Sequence, residues 1–285
     1  MTAASITARE RAQIDDANAS DAPVVVLIHT VGMLASSWDP WRDRLAERGY
    51  STVAVEWPGE PASFEDALAR PMAVAGVGLK DVLAHVMLVI RALDQAPFVV
   101  GHSFGGLIAQ QIAGRGESRG TVAITPPPMK GAAPPPRIVL RAAMPVLADR
   151  ANRSGAVRFA YSQYRFGWAN AVAEEEARRL YETHHVPVPG LAVFEVAAAR
   201  FENPSPAVVG TITPDRGPLL VIAAGEDRMT APEIAADTYR IQRQNPCPTE
   251  LVEFPDRGHT LTFDSGWADV ADRAIDFLDA HVTDA

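Results

Sequence analysis

Three residues far apart in this chain could together run nucleophilic acyl chemistry: Ser103, Asp227 and His259. A serine hydroxyl is a poor nucleophile at neutral pH. It needs a base to take its proton and a carboxylate to orient that base. Ser103 stands in Gly101-His102-Ser103-Phe104-Gly105-Gly106, a G-x-S-x-G pattern with the apolar run Phe98-Val99-Val100 before it and a helical pattern from about Phe104 to Ala113 after it. On such a strand-to-helix turn, small neighbours relieve backbone crowding and the hydroxyl stands above the sheet. The helix N-terminus also favours a developing negative charge. The bland alternative is a capping serine in a tight turn. A second match, Gly116-Glu117-Ser118-Arg119-Gly120, follows a helix and precedes a strand, the reverse of the required context. Its charged flanks place Ser118 in a solvated loop.

Seven histidines compete for the role of base. His29 ends the first predicted strand, His85 sits in a helix, His102 is inside the turn, His184 and His185 are adjacent, and His281 is near the end. His259, in Pro255-Asp256-Arg257-Gly258-His259-Thr260, follows the last predicted strand beside a glycine that lets the loop turn back over the sheet. The acid should leave an intervening strand end. Leu219–Ala223 leads into Ala224-Gly225-Glu226-Asp227-Arg228, where Asp227 is the first choice and Glu226 stays open; either could instead cap a helix.

Six short apolar runs can position these residues: Val24–Ile28, Ser51–Val55, Phe98–Val100, Thr121–Thr125, Leu219–Ala223 and Glu250–Phe254. Unbroken β-branched runs suit strands buried on both faces, as in a parallel sheet. Helical patterns fall at about 36–48, 75–93, 104–113, 231–243 and 267–281, and the alternation implies a parallel sheet covered on both sides. Sites in such sheets form at the carboxyl ends of the strands. Six prolines between Pro126 and Pro136 break the alternation, and up to about Gly217 only helical patterns appear, as at 137–149 and 171–183. The expected organisation is an N-terminal leader over 1–22 with at most one helical turn, an α/β core over 23–125 and 217–285, and a helical cap over 126–216.

A chain of 285 residues can bury roughly three quarters of its surface without a disulfide or metal staple. Twenty-six basic against thirty-five acidic residues give a net charge of −9, which argues against nucleic acid or an anionic membrane as the main partner. The only cysteine is Cys247, so no intrachain disulfide can form, and the first twenty residues lack the apolar stretch of a secretory signal. A cytoplasmic location is expected, with a small-molecule substrate as partner; a homodimer is left open. Without a phosphate-binding loop or dinucleotide fingerprint, no cofactor is expected. His184-His185 lacks the carboxylate or cysteine neighbours of a zinc site, and no metal is expected either.

The order Ser…Asp…His and the turn around Ser103 resemble the α/β-hydrolase superfamily, in its serine-hydrolase form with a helical cap. The resemblance covers about 23–125 and 217–283 but not the cap in detail. It implies an α/β-hydrolase fold, with the sheet reduced to about six strands because the leader is too short and polar to supply the family's earlier ones. It further implies an oxyanion hole made by the backbone N–H groups of Phe104 and Val31, the latter in His29-Thr30-Val31-Gly32. Most esterases of this family have His-Gly where this chain has His29-Thr30. The stretch Val-Leu-Ile-His-Thr with Trp38 downstream resembles plant hydroxynitrile lyases, but their lysine after the catalytic histidine is Thr260 here. Thr30 otherwise narrows the pocket. Tyr164, Phe166 and Trp168, crowded with Phe159 and Tyr161, form either the inner core of the cap or an apolar pocket wall. The leading expectation is a serine hydrolase acting on an ester, lactone or thioester of a small apolar substrate. Lyase, carbon–carbon bond cleavage, metabolite tailoring and a ligand receptor with little turnover are the alternatives. Epoxide hydrolase or dehalogenase chemistry would need a carboxylate where Ser103 stands.

Overall fold

The six apolar runs become six parallel strands: β1 (Val24–Ile28), β2 (Ser51–Val55), β3 (Phe98–His102), β4 (Gly120–Ile124), β7 (Leu219–Ala224) and β8 (Thr249–Phe254). They form one sheet in the order β2-β1-β3-β4-β7-β8 with every neighbouring pair parallel. This is the computed structural model of the chain, and it describes residues 5–282. Residues 1–4 of the expected leader and 283–285 of the expected core lie outside the described residues.

Alternate residues of β1 serve two cores. Val24, Val26 and Ile28 join helices α1 (Ala8–Asn18), α4 (Leu79–Ile90) and α5 (Phe104–Ala113) on one face. Val25 and Leu27 pack with α2 (Asp39–Glu47) and α11 (Trp267–His281) on the other. Both faces are therefore covered, which is why the central strands read as continuous apolar runs rather than as alternation. Edge strand β8 instead exposes Glu250 and Glu253, charges that discourage pairing with another chain. Helix α10 (Pro232–Gln242) connects β7 to β8, and α3 (Phe64–Ala69) follows β2.

Helix α1 corrects the expectation of a leader with at most one turn. It runs for eleven residues from a capping box in which Thr7 and Glu10 satisfy each other's backbone N–H groups. Hydrophobic periodicity could not reveal it, because its inner face is partly polar. Gln13 Oε1 accepts from Ala54 N–H (2.8 Å), and Glu10 Oε1 accepts from Glu56 N–H (2.9 Å) and contacts His85 Nε2 (2.8 Å). The helix thus satisfies amides along and just beyond the edge strand β2, and covers that edge.

Between β4 and β7 the chain forms α6 (Arg137–Leu147), α7 (Tyr161–Gly167), α8 (Glu174–Thr183) and α9 (Gly190–Ala198). Two minimal strands, β5 (Ala156–Val157) and β6 (Val188–Pro189), pair antiparallel where no strand is expected; two residues are too few to leave a pattern. Among the described residues no helix is long and apolar enough to cross a membrane.

Candidate active site

The turn from β3 into α5 is held by backbone contacts that leave no room for side chains. Ser103 has φ 52° and ψ −115°, a region L-residues rarely adopt and one that persists only when the surroundings over-determine it. Its N–H donates to Ile124 O (2.8 Å) in β4, and its carbonyl accepts from Leu107 N–H (3.1 Å). A Cβ on Gly101 would lie 2.1 Å from Gly105 O, and one on Gly105 would lie 2.0 Å from Ile28 O. Both glycines of the G-x-S-x-G pattern are therefore demanded by packing. Gly105→Ala is expected to cost about 3 kcal/mol or more, since the clash is with backbone that cannot rotate away; thermal or urea unfolding checks it.

Ser118 sits at the other end of the sheet, just before β4. It is buried, with its hydroxyl 2.9 Å from Thr121 Oγ1, which corrects the expected solvated loop.

The loops after β7 and β8 bring Asp227 and His259 together. Asp227 Oδ2 lies 2.7 Å from His259 Nδ1, and both side chains are buried. Asp227 is fixed on its other side: Oδ1 accepts from the N–H groups of Met229 (2.7 Å) and Thr230 (2.9 Å). Glu226, by contrast, is exposed and among the described residues contributes main-chain bonds alone, its N–H donating to Arg257 O and its carbonyl accepting from Asn170 Nδ2. The His259 loop is tied down by buried Asp264, which accepts from Thr260 Oγ1 (2.9 Å) and pairs with Arg257. Burial pushes the Asp264 carboxyl up, against the pull of Arg257.

Ser103 Oγ makes no hydrogen bond among the described residues, so none joins it to His259; such bonds are often long before substrate binds. The two share neighbours instead. His102, adjacent to Ser103 in sequence, has its ring centroid 4.9 Å from that of His259, and the ring of Trp168, which lines the cavity with Ser103, packs nearly perpendicular to His259 with centroids 4.8 Å apart. Burial, with His259 adding to it, holds His102 well below the usual imidazole range. It therefore packs beside His259 as a neutral ring, tilted 42° to it.

The N–H groups of Val31 and Phe104 have no acceptor among the described residues. Phe104 opens α5, where the first-turn amides lack intrahelical partners. Both residues line the same cavity as Ser103.

That cavity, of about 250 Å³, lies between the ends of the strands and the 126–216 segment. Its walls are apolar, among them Met129, Val139, Leu140, Val193 and Val196, and Ser103, Thr230 and Arg200 are the polar exceptions. Of the aromatic residues crowded between 159 and 168, Phe159 and Trp168 line it. Tyr164 is fully buried against Trp168, Tyr181 and His185, and Phe166 lies outside the cavity beneath the guanidinium groups of Arg141 and Arg228. Thr30 is fully buried with its Oγ1 unpartnered, and it too is outside the cavity's lining. Two contributors have no clear sequence signal. Thr230 places Oγ1 within 2.9 Å of both Asp227 Oδ2 and Thr125 O. Glu60, two residues beyond the Trp57-Pro58 turn, contacts His29.

His185, at the centre of the aromatic cluster, makes a testable pH dependence. Phe159 N–H donates to its Nε2 (3.1 Å), so Nδ1 carries the hydrogen. Burial, with Arg158 behind it, pushes its pKa down to about 3 from 6.5. Between those values the unfolded chain binds a proton that the folded chain does not. Stability is therefore expected to fall as pH drops through this window, by up to about 1.4 kcal/mol per pH unit through this group. Urea unfolding at pH 7 and pH 5 should show a smaller difference for His185→Gln, which keeps an acceptor for Phe159 N–H and does not titrate.

Residues 25–273 match the model of the "Alpha/beta hydrolase family". The chain belongs to that family. No curated protein matches it. Among solved structures it is similar to a monoacylglycerol lipase from Paleococcus ferrophilus, with a TM-score of 0.64, 19% identity, and coverage of 91% of this chain and 96% of that one. An extracellular alpha/beta-hydrolase from a Paenibacillus species gives 0.63 at 17% identity, over 89% and 98%. The methylesterase MES16 from Arabidopsis gives 0.61 at 12% identity, over 90% and 99%. At such identities the likeness is one of fold. The alpha/beta hydrolase family accounts for the parallel sheet and for the strand-to-helix turn at Ser103.

Proposed function

We propose that the protein hydrolyses an ester, lactone or thioester bond of a small apolar substrate through Ser103, His259 and Asp227. The observation that carries this reading is the buried 2.7 Å contact between Asp227 Oδ2 and His259 Nδ1, with the His259 ring 4.9 Å from that of His102, the chain neighbour of the strained, cavity-lining Ser103. With Nδ1–H directed to Asp227, Nε2 is left free to act as base. His259 takes the Ser103 proton as Oγ attacks the carbonyl carbon, and Asp227 stabilises the imidazolium that forms. The negative charge on the carbonyl oxygen is met by the free N–H groups of Val31 and Phe104, each such donor being worth roughly 10²–10³ in rate. His259 then protonates the leaving alcohol or thiol, and in the second half activates the water that attacks the acyl-enzyme and releases Ser103.

Residues 126–216 act as the cap, their apolar walls receiving the substrate's hydrocarbon part. A capped apolar cavity of this kind suits a small molecule better than an extended peptide. Thr30 does not line the cavity, which leaves the lyase reading without the hydroxyl contact it needs.

The test is a series of p-nitrophenyl esters from acetate to dodecanoate, with lactones, thioesters and mandelonitrile alongside. Ester turnover that peaks at a short or medium chain supports the reading. Aldehyde release from mandelonitrile without turnover of any acyl substrate contradicts it.

A further inference from the structure

The candidate oxyanion donor Val31 belongs to a peptide unit whose other end is gripped by a buried relay. His29 Nδ1 lies 2.8 Å from Thr30 O, and His29 Nε2 lies 2.7 Å from Glu60 Oε2. The side chains of His29 and Glu60 are both almost wholly buried. Glu60 is anchored by two further donors, Ala35 N–H to Oε1 (2.7 Å) and Trp57 N–H to Oε2 (2.9 Å). Trp57 Nε1–H also donates to the His29 carbonyl (3.3 Å), and the two rings pack 5.8 Å apart.

Proton bookkeeping settles the direction of the relay. A carbonyl oxygen can only accept, so His29 Nδ1 carries a hydrogen. The 2.7 Å contact between Nε2 and Oε2 then holds a second proton, whichever atom it sits nearer. The chain therefore runs from Glu60 through the His29 ring to the carbonyl of Thr30. The Thr30 carbonyl and the Val31 N–H are the two ends of one amide, and drawing electron density toward the oxygen makes the N–H a stronger donor.

We propose that Glu60 and His29 form a positioning relay that fixes and polarises the Thr30–Val31 peptide, so that Val31 N–H is a stronger oxyanion donor than an ordinary amide. The proposal rests on the hydrolase reading given above and names what serves one half of its oxyanion hole. Three features of the geometry support it. The Val31 N–H has no competing acceptor among the described residues, Val31 lines the cavity with Ser103, and the relay is shielded from water, where successive hydrogen bonds strengthen one another by about 10–30% per bond. Glu60 and His29 touch no substrate in this scheme and act only through the peptide.

Glu60→Gln tests it, since glutamine keeps the shape and an acceptor for Ala35 N–H but removes the carboxylate. In ¹⁵N-labelled protein the Val31 amide proton is expected to move upfield. For each site titrated by fluorophosphonate, kcat is expected to fall about tenfold with KM within twofold, part of the 10²–10³ that one oxyanion donor carries. The inhibition constant of a trifluoromethyl ketone, which forms a tetrahedral oxyanion adduct, should rise by the same factor. If Glu60→Gln does not fold, His29→Asn serves, because its Nδ2 stands near the Nδ1 position and keeps a donor to Thr30 O while severing Glu60. An unchanged Val31 resonance, with kcat per titrated site within twofold of wild type and only a lowered Tm, would mean that Glu60 merely staples two loops, and the proposal falls. A Val31 shift that follows Glu60 in a protein that fluorophosphonate does not label sustains the polarised peptide and overturns the hydrolase reading instead.

Discussion

Ser103→Ala is expected to lower kcat by about 10⁴–10⁶-fold while leaving KM within a few-fold of wild type. The substitution removes one oxygen and nothing else on which the site depends. The apolar cavity that receives the substrate is untouched, and so are the amides of Val31 and Phe104. The backbone strain at φ 52° is the same for alanine as for serine, because both carry a Cβ. Ser103 Oγ also has no hydrogen bond to lose among the described residues, so Tm should change by no more than a few degrees. Residual activity above the uncatalysed rate is expected from the oxyanion donors alone. Loss of activity with a collapse in Tm would instead point to misfolding. Retention of more than a hundredth of wild-type kcat would remove Ser103 from the mechanism.

Asp227→Asn is expected to cost about 10⁴-fold in kcat, and the arrangement of its partners says why. Two backbone amides, Met229 and Thr230, donate to Oδ1. In the variant the asparagine carbonyl must stay there to accept them, which places the NH₂ where Oδ2 was, opposite His259 Nδ1. His259 can meet that donor only by moving its hydrogen to Nε2, the nitrogen that must be free to take the serine proton. The variant thus folds with the imidazole in the wrong tautomer. Thr230 Oγ1, also 2.9 Å from Oδ2, can still donate to Thr125 O. Glu226→Gln, at the exposed neighbour, should leave kcat within twofold. Steady-state kinetics of the two variants side by side separate the acids, and comparable losses in both would contradict the assignment.

How much of this could be read from residues alone depended on what kind of pattern carried the information. The sheet was legible because its four central strands are apolar runs that must be buried on both faces, and the turn at Ser103 because glycine types report backbone crowding directly. The 2.0–2.1 Å approaches at Gly101 and Gly105 are the physical content of that motif. Helix α1 was not legible, since its buried face mixes Ile14 and Ala17 with Glu10 and Gln13, which bond amides in and just beyond β2, and such a mixed face leaves no clear hydrophobic period. The aromatic run from Phe159 to Trp168 marked a cluster but not its orientation. One turn of helix sends Tyr164 inward to Tyr181 and His185 and leaves Phe166 outside with two arginines, while Trp168 reaches the cavity. Glu60 and Thr230 were invisible for a different reason. Each acts through contacts made across the fold, and nothing in their local sequence distinguishes a buried anchor from a surface acid or a loop threonine.

The central claim is that one hydroxyl in this chain is activated, and covalent labelling reads that most directly. The protein is treated with a fluorophosphonate, digested, and the modified peptide sequenced by mass spectrometry. A single label on Ser103, absent from Ser103→Ala and strongly slowed in Asp227→Asn, is the result predicted here. A label on Ser118, or one that persists in Ser103→Ala, would contradict it.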